Sequence, residues 1–158
     1  MLLPKPVRFV SRLLVLTTGF SILALISGQP SGAAEVVTLD RAVRDFKLPD
    51  QIPWKKSVSG ETQSATLVGD PSKPGLYIQL LKRPPNNWSR PHKHDHDRFI
   101  TVLEGTMWIG TGTDFDIEKT VPLRAGSFLT DFGGQTHFDG SKSDGLVIEI
   151  VGIVPPKP

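Results

Sequence analysis

Cysteine is absent from this sequence. A domain without it can form no disulfide and cannot be lipid-attached through a thiol. It must hold together by packing, helped at most by a metal or a partner subunit. The chain also lacks an internal repeat of the solenoid kind, a low-complexity block and a heptad, which excludes repeat arrays and coiled coils. No apolar stretch reaches the about 20 residues that a membrane-spanning helix needs. The longest, Leu13 to Ile26, has 14.

That stretch has a specific setting. Lys5, Arg8 and Arg12 precede it, and small residues follow, ending at Gly32-Ala33-Ala34. A basic leader, a short apolar run and a small-residue end are the layout of a secretory signal peptide, with cleavage expected after Ala34. An uncleaved anchor is the alternative. With no Arg-Arg pair, the general export route is favoured over the twin-arginine one. The expected localisation is periplasmic or extracellular, with no stable membrane insertion of the mature chain. Removing residues 1–34 leaves 15 basic and 16 acidic residues over 124 positions, a net charge of −1. The basic character of the whole chain therefore resides in its leader, and nothing points to nucleic acid. Residues 35–158 suffice for one domain with its own core.

Within that domain, Val36, Leu39, Val43 and Phe46 fall three or four apart, a spacing that allows one short helix before Leu48-Pro49 stops it. Trp54 to Leu67 reads as irregular with a short strand, and residues 69–75 as a turn. Beyond this the chain is all-β. The expected strands are Leu76–Leu81, Arg98–Leu103, Thr106–Ile109, Ser127–Asp131, Thr136–Phe138 and Leu146–Val154. Glu104-Gly105 stands between two of them at hairpin spacing. The domain core is expected over residues 75–154, with an N-terminal extension over 35–74. Short strands separated by turn residues argue a sandwich or barrel.

The four histidines are not scattered. His92, His94 and His96 occupy alternate positions, and His137 follows about forty residues later. Side chains two apart on a strand share a face, so His92 and His94 can converge, and a neighbouring strand can bring His137 to them. Neutral imidazole is the commonest protein ligand for a transition metal. His96 has the same parity and is a further candidate ligand. It could equally lie in a bend before the strand that starts at Arg98.

These residues resemble the cupin superfamily, a double-stranded β-helix or jelly-roll-like barrel. Its first motif has two histidines one residue apart, an acidic residue four positions later and a glycine seven beyond that. Here the run is Pro91-His92-Lys93-His94, then Arg98, then Gly105. Its second motif runs from a glycine through a further glycine to a histidine, here from Gly126 through Gly133 or Gly134 to His137. Together the two blocks cover about residues 88–140. Arg98 stands where most metal-binding cupins carry glutamate, Phe132 replaces an expected proline, and the asparagine after the histidine is missing. A subset of cupins uses three histidines only, some of them iron-dependent dioxygenases.

The resemblance implies an all-β barrel with at most one or two short helices near the mature N-terminus. It also implies a divalent metal (iron, manganese, nickel, copper or zinc) on His92, His94 and His137, with His96 optional. A small molecule would bind nearby, and pairing as a homodimer is implied as well. Arg98 cannot ligate a metal, since its guanidinium stays protonated. Beside one it could grip an anionic substrate, or it could pair with Asp95, Asp97 or Glu104. Asp95 and Asp97 could orient a histidine ring or be solvated, and Asp131 and Asp139, which bracket His137, could reach the site or be solvated too. Ile100, Val102 and Phe128 are the expected pocket walls. Three functions remain open: a metal-dependent oxidoreductase or isomerase, a module that binds a ligand or metal without turnover, and an interaction or structural protein with a vestigial site. No residue stands out as a catalytic base.

Overall fold

The computed structural model describes residues 39–58 and 61–157. The expected signal peptide and residues 35–38 lie outside them. Residues 39–44 belong to a first compact unit and the rest to a second. Of the stretch expected to be helical, the described part is a single turn. The Asp40 carbonyl accepts from the amides of Val43 and Arg44, and its carboxylate accepts from the Ala42 amide. An aspartate that caps so early competes with helix continuation.

The second unit is built from antiparallel strands: β1 (Lys55–Lys56), β2 (Gln63–Val68), β3 (Gly75–Arg83), β4 (Arg98–Thr111), β5 (Val121–Arg124), β6 (Phe128–Asp131), β7 (His137–Gly140) and β8 (Leu146–Val154). Two three-residue 3-10 turns, Pro49–Gln51 and Ile117–Lys119, are the helical elements among the described residues. The sheet runs β1-β2-β3-β8-β4, and β4 then serves β5, β6 and β7. β1 and β2 thus join the sheet through β3, so part of the expected extension is sheet.

β4 holds the fold together. Residues 98–105 pair with β8, and 98–101 also with β6; residues 106–111 pair with β5 and β7. The expected hairpin at Glu104-Gly105 does not form. One 14-residue strand passes through this point with a register shift between Val102 and Glu104. A glycine inside a strand pattern marks a bulge as readily as a turn. Gly105 has φ 72°, and a Cβ there would lie 1.9 Å from the Gly145 carbonyl oxygen. This close approach lies where β4 passes from one partner group, β6 and β8, to the other, β5 and β7, so that the strands form two sheets sharing β4.

The core follows from strand parity. Ile100 and Val102 on β4 meet Ile148 and Ile150 on β8, joined by Met107, Leu146 and Tyr77. Each is under 5 % exposed. Burying one such aliphatic side chain contributes about 1.5–3 kcal/mol, enough to anchor a domain that has no disulfide. β5 escaped the sequence reading because Pro122 interrupts its pattern. It pairs with β4 alone, and an outer strand tolerates proline.

Candidate metal centre

The first two histidines are not on a regular strand. Residues 91–94 are extended and joined to β7 by a single bridge, in which the His92 amide donates to the His137 carbonyl (2.9 Å) and the His137 amide to the His92 carbonyl (3.0 Å). The Gly134 amide then donates to the His94 carbonyl at 2.7 Å. The carboxylate of Asp97 accepts from the Gly133 amide, also at 2.7 Å. Two motifs forty residues apart are thus fastened backbone to backbone. Asp97 serves the turn that precedes His137, not a histidine ring, and Asp95 is exposed.

The side chains meet as a consequence. The rings of His92, His94 and His137 lie 4.6–5.3 Å apart, centroid to centroid. One ligand nitrogen from each falls within 4.8 Å of the other two. Tautomers follow from the partners. The Nδ1 of His92 faces the Arg90 carbonyl at 2.8 Å, and that of His137 faces the Gln135 carbonyl at 3.1 Å. A carbonyl only accepts, so each Nδ1 carries the proton and each Nε2 keeps its lone pair. This backbone contact is how liganding histidines are usually oriented. His94 is held neutral: burial first, then the charge of Arg98 and the neighbouring imidazoles, push it down to about 4, against a smaller opposing effect of Asp131.

The Nε2 atoms of His94 and His137 are buried and without a hydrogen-bond partner. A buried polar atom left unsatisfied costs roughly 1–3 kcal/mol. Asp131 Oδ2 lies 3.4 Å from His137 Nε2 without making a hydrogen bond to it. Three neutral imidazoles with inward lone pairs fit a transition metal by number and by donor type.

No protein-family model matches the chain, and no curated protein matches it. Solved structures do. KdgF from Halomonas sp. superposes with a TM-score of 0.54 at 20% identity, covering 70% of this chain and 95% of its own. The polyketide cyclase RemF from Streptomyces resistomycificus gives 0.58 at 18% identity, covering 73% and 82%. An RmlC-like cupin from Shewanella frigidimarina gives 0.55 at 15%, covering 70% and 92%. The fold is the barrel of these cupin structures. At such identities the likeness carries the fold, and the site must be argued from this chain alone.

Arg98, at the position where the sequence resemblance leads one to expect glutamate, has a partner that is neither Asp95, Asp97 nor Glu104. It is Asp131, directly opposite on β6: Nη2 donates to Oδ2 at 2.6 Å, and both side chains are largely buried. Asp139 is likewise paired with Arg83 at 3.0 Å. Neither bracketing aspartate is solvated. Sequence reasoning had the carboxylates but not their arginines, because register across a ladder is not written in local pattern.

The remaining candidates separate. His96 turns to Tyr77, whose hydroxyl lies 3.2 Å from its Nε2, and the three-histidine group does not include it. It sits in a bend, the second of the two placements open to it. Ile100 and Val102 are core residues at 0 % and 1 % exposure. Phe128 lies on the opposite side of β6 from Asp131, 63 % exposed and stacked on Phe99. A cavity of about 180 Å³ does border the site, but Leu129, Ile109, Phe132 and Thr136 form its walls, with His137 and Asp131 beside them. Leu129 is one residue from Phe128 and therefore on the inward face. The sequence reading had β6 one residue out of phase.

Proposed function

We propose that this chain is an exported cupin that holds a divalent transition metal on the Nε2 atoms of His92, His94 and His137 and acts on a small molecule in the adjoining cavity. The observation that carries this reading is the pair of buried, partnerless Nε2 atoms of His94 and His137, in a triad where the Nδ1 atoms of His92 and His137 are already committed to backbone carbonyls. Three protein ligands leave coordination positions open, as reactive sites do and closed structural sites do not. A cation there supplies either Lewis-acid polarisation of a bound oxygen group or a redox centre, so the enzyme class is oxidoreductase or isomerase.

Around it, this chain's residues bind and orient. Arg90 and Gln135 carbonyls fix two rings, and the bridge between residues 92 and 137 fixes their separation. The cavity walls exclude water from one side. A second reading, a module that binds without turnover, is favoured by one observation: both aspartates near His137 are neutralised by arginines, so neither is free to act as a base.

Cobalt(II) titration of metal-free protein tests the common core of both readings. One equivalent should give the visible spectrum of an imidazole-bound ion, and His137→Ala should abolish it; an unchanged spectrum in that variant would sink the reading. Turnover against small oxygen-bearing substrates then separates enzyme from module. Export stands on the leader, and N-terminal sequencing of secreted protein should start at Glu35. Sedimentation velocity checks the homodimer that the resemblance implies.

A further inference from the structure

We propose that the site takes a small carboxylate with an apolar body, its anionic end held between the metal position and Arg98 and its body in the neighbouring cavity. The inference rests on the metal-binding reading and names the ligand class for that same site.

Charge count is the first argument. An imidazole nitrogen binds a cation through its lone pair and brings no charge, so the triad supplies three neutral ligands. Both carboxylates that border the cavity are already matched, Asp131 by Arg98 and Asp139 by Arg83. A divalent cation on the triad would therefore keep its two positive charges in a partly desolvated setting. Uncompensated buried charge is costly, and an anionic ligand is the direct way to offset it.

Arg98 is the second argument. It spends one nitrogen on Asp131, while its Nε is buried and has no hydrogen-bond partner. A guanidinium presents several donors in one plane and matches a carboxylate in that plane. One donor used and one idle and shielded leave the guanidinium short of an acceptor, which a ligand oxygen supplies once the side chain turns toward it beside the triad. The carboxylate of Asp131 lies 3.4 Å from His137 Nε2, so the guanidinium bonded to it is close to the metal position.

Size and polarity are the third. Apart from Asp131, Asp139 and His137, the cavity walls include Leu129, Ile109, Phe132 and Phe138. At about 180 Å³ it is slightly larger than an apolar cavity of about 150 Å³ that admits benzene. The body of the ligand is therefore a single ring or a short branched chain.

The test uses the whole protein loaded with cobalt(II), with metal content measured before every titration. Benzoate, benzamide and acetate are titrated by calorimetry and by the visible spectrum. Benzoate should bind roughly tenfold or more tighter than benzamide, the discrimination expected from a charged hydrogen bond, and tighter than acetate because the ring is buried. The double variant R98M/D131L removes the ion pair as a unit, a change that buried pairs tolerate far better than loss of one partner. It should keep one metal per chain and lose that preference for benzoate. If wild type takes up no metal, the underlying reading fails and this one with it. If metal binds but benzoate and benzamide do not differ, or the double variant keeps the preference, or the double variant loses the metal, the carboxylate site at Arg98 is overturned while the triad stands.

Discussion

Arg98 and Asp131 are register partners across the β4–β6 ladder and meet at 2.6 Å, both largely out of water. The acidic group near the triad is thus carried by β6, and β4 carries the base that neutralises it. This exchange of charge between neighbouring strands sets the electrostatics of the site. It leads to the first prediction.

Removing one member of the pair should be worse than removing both. Asp131→Leu leaves a buried guanidinium unmatched and should cost about 3 kcal/mol or more, whereas R98M/D131L should be near neutral. Urea unfolding of the metal-free proteins measures both. Equal costs would mean that the pair is not desolvated.

Stability of the metal-free protein should fall on acidification in a definite window. His94 is held down at about 4, against the ordinary 6.5 of an unfolded chain. Between those values the unfolded state binds more protons than the folded one, so acid favours unfolding. The loss begins as pH drops through 6.5 and is complete below about 4. Wild type should lose more melting temperature between pH 7.5 and 4.5 than His94→Gln does. A His94→Gln curve parallel to wild type would contradict the burial of that ring.

The loop that delivers His92 should depend on a residue that is not itself a ligand. Arg83 donates to Asp139 and to Asn87, and Ser89 Oγ donates to the Asp139 carbonyl while accepting from the Asp139 amide. Ser141 Oγ donates to the Pro84 carbonyl at 2.6 Å. These contacts rivet residues 84–89 to β7. Asp139→Asn should cost about 3 kcal/mol and weaken cobalt binding, although residue 139 is not a ligand. Chemical denaturation and metal titration of the same sample read both effects.

Two glycines with similar backbone angles should respond differently to alanine. Gly105 (φ 72°) faces the Gly145 carbonyl, while Gly112 (φ 82°) has open space around it. Gly112→Ala should cost only the strain of a positive φ, about 1–2 kcal/mol. Gly105→Ala adds a collision with backbone and should cost on the order of 3 kcal/mol or more. Similar costs at the two positions would contradict the passage of β4 between sheets at Gly105.

Much of this was legible in the residues. The β8 boundaries, Leu146–Val154, emerge from its apolar run as they stand, and the histidine spacing together with the cupin resemblance offered His92, His94 and His137 as candidates while leaving His96 open. What failed has a common cause. The Glu104-Gly105 step, the phase of Phe128 and Leu129, and the partners of Arg98 and Asp139 all depend on which strand lies alongside. Local pattern reports whether a segment is extended and which residues alternate. It does not report the register of a neighbour, and a shift of one position reverses every side chain. The short strand expected within Trp54 to Leu67 is β2, and its bounds were not legible for another reason: Gln63, Ser64 and Thr66 dilute its apolar alternation, and pairing with β3 makes up the difference.

The central claim is that the imidazoles of residues 92, 94 and 137 together grip one cation. Elemental analysis of natively purified protein, wild type beside His94→Ala, addresses it most directly. The account predicts about one transition-metal ion per chain in wild type and loss of most of it in the variant, with the fold intact by circular dichroism. Equal metal content in the two proteins, or none in a wild type offered zinc, iron and copper in turn, would contradict it.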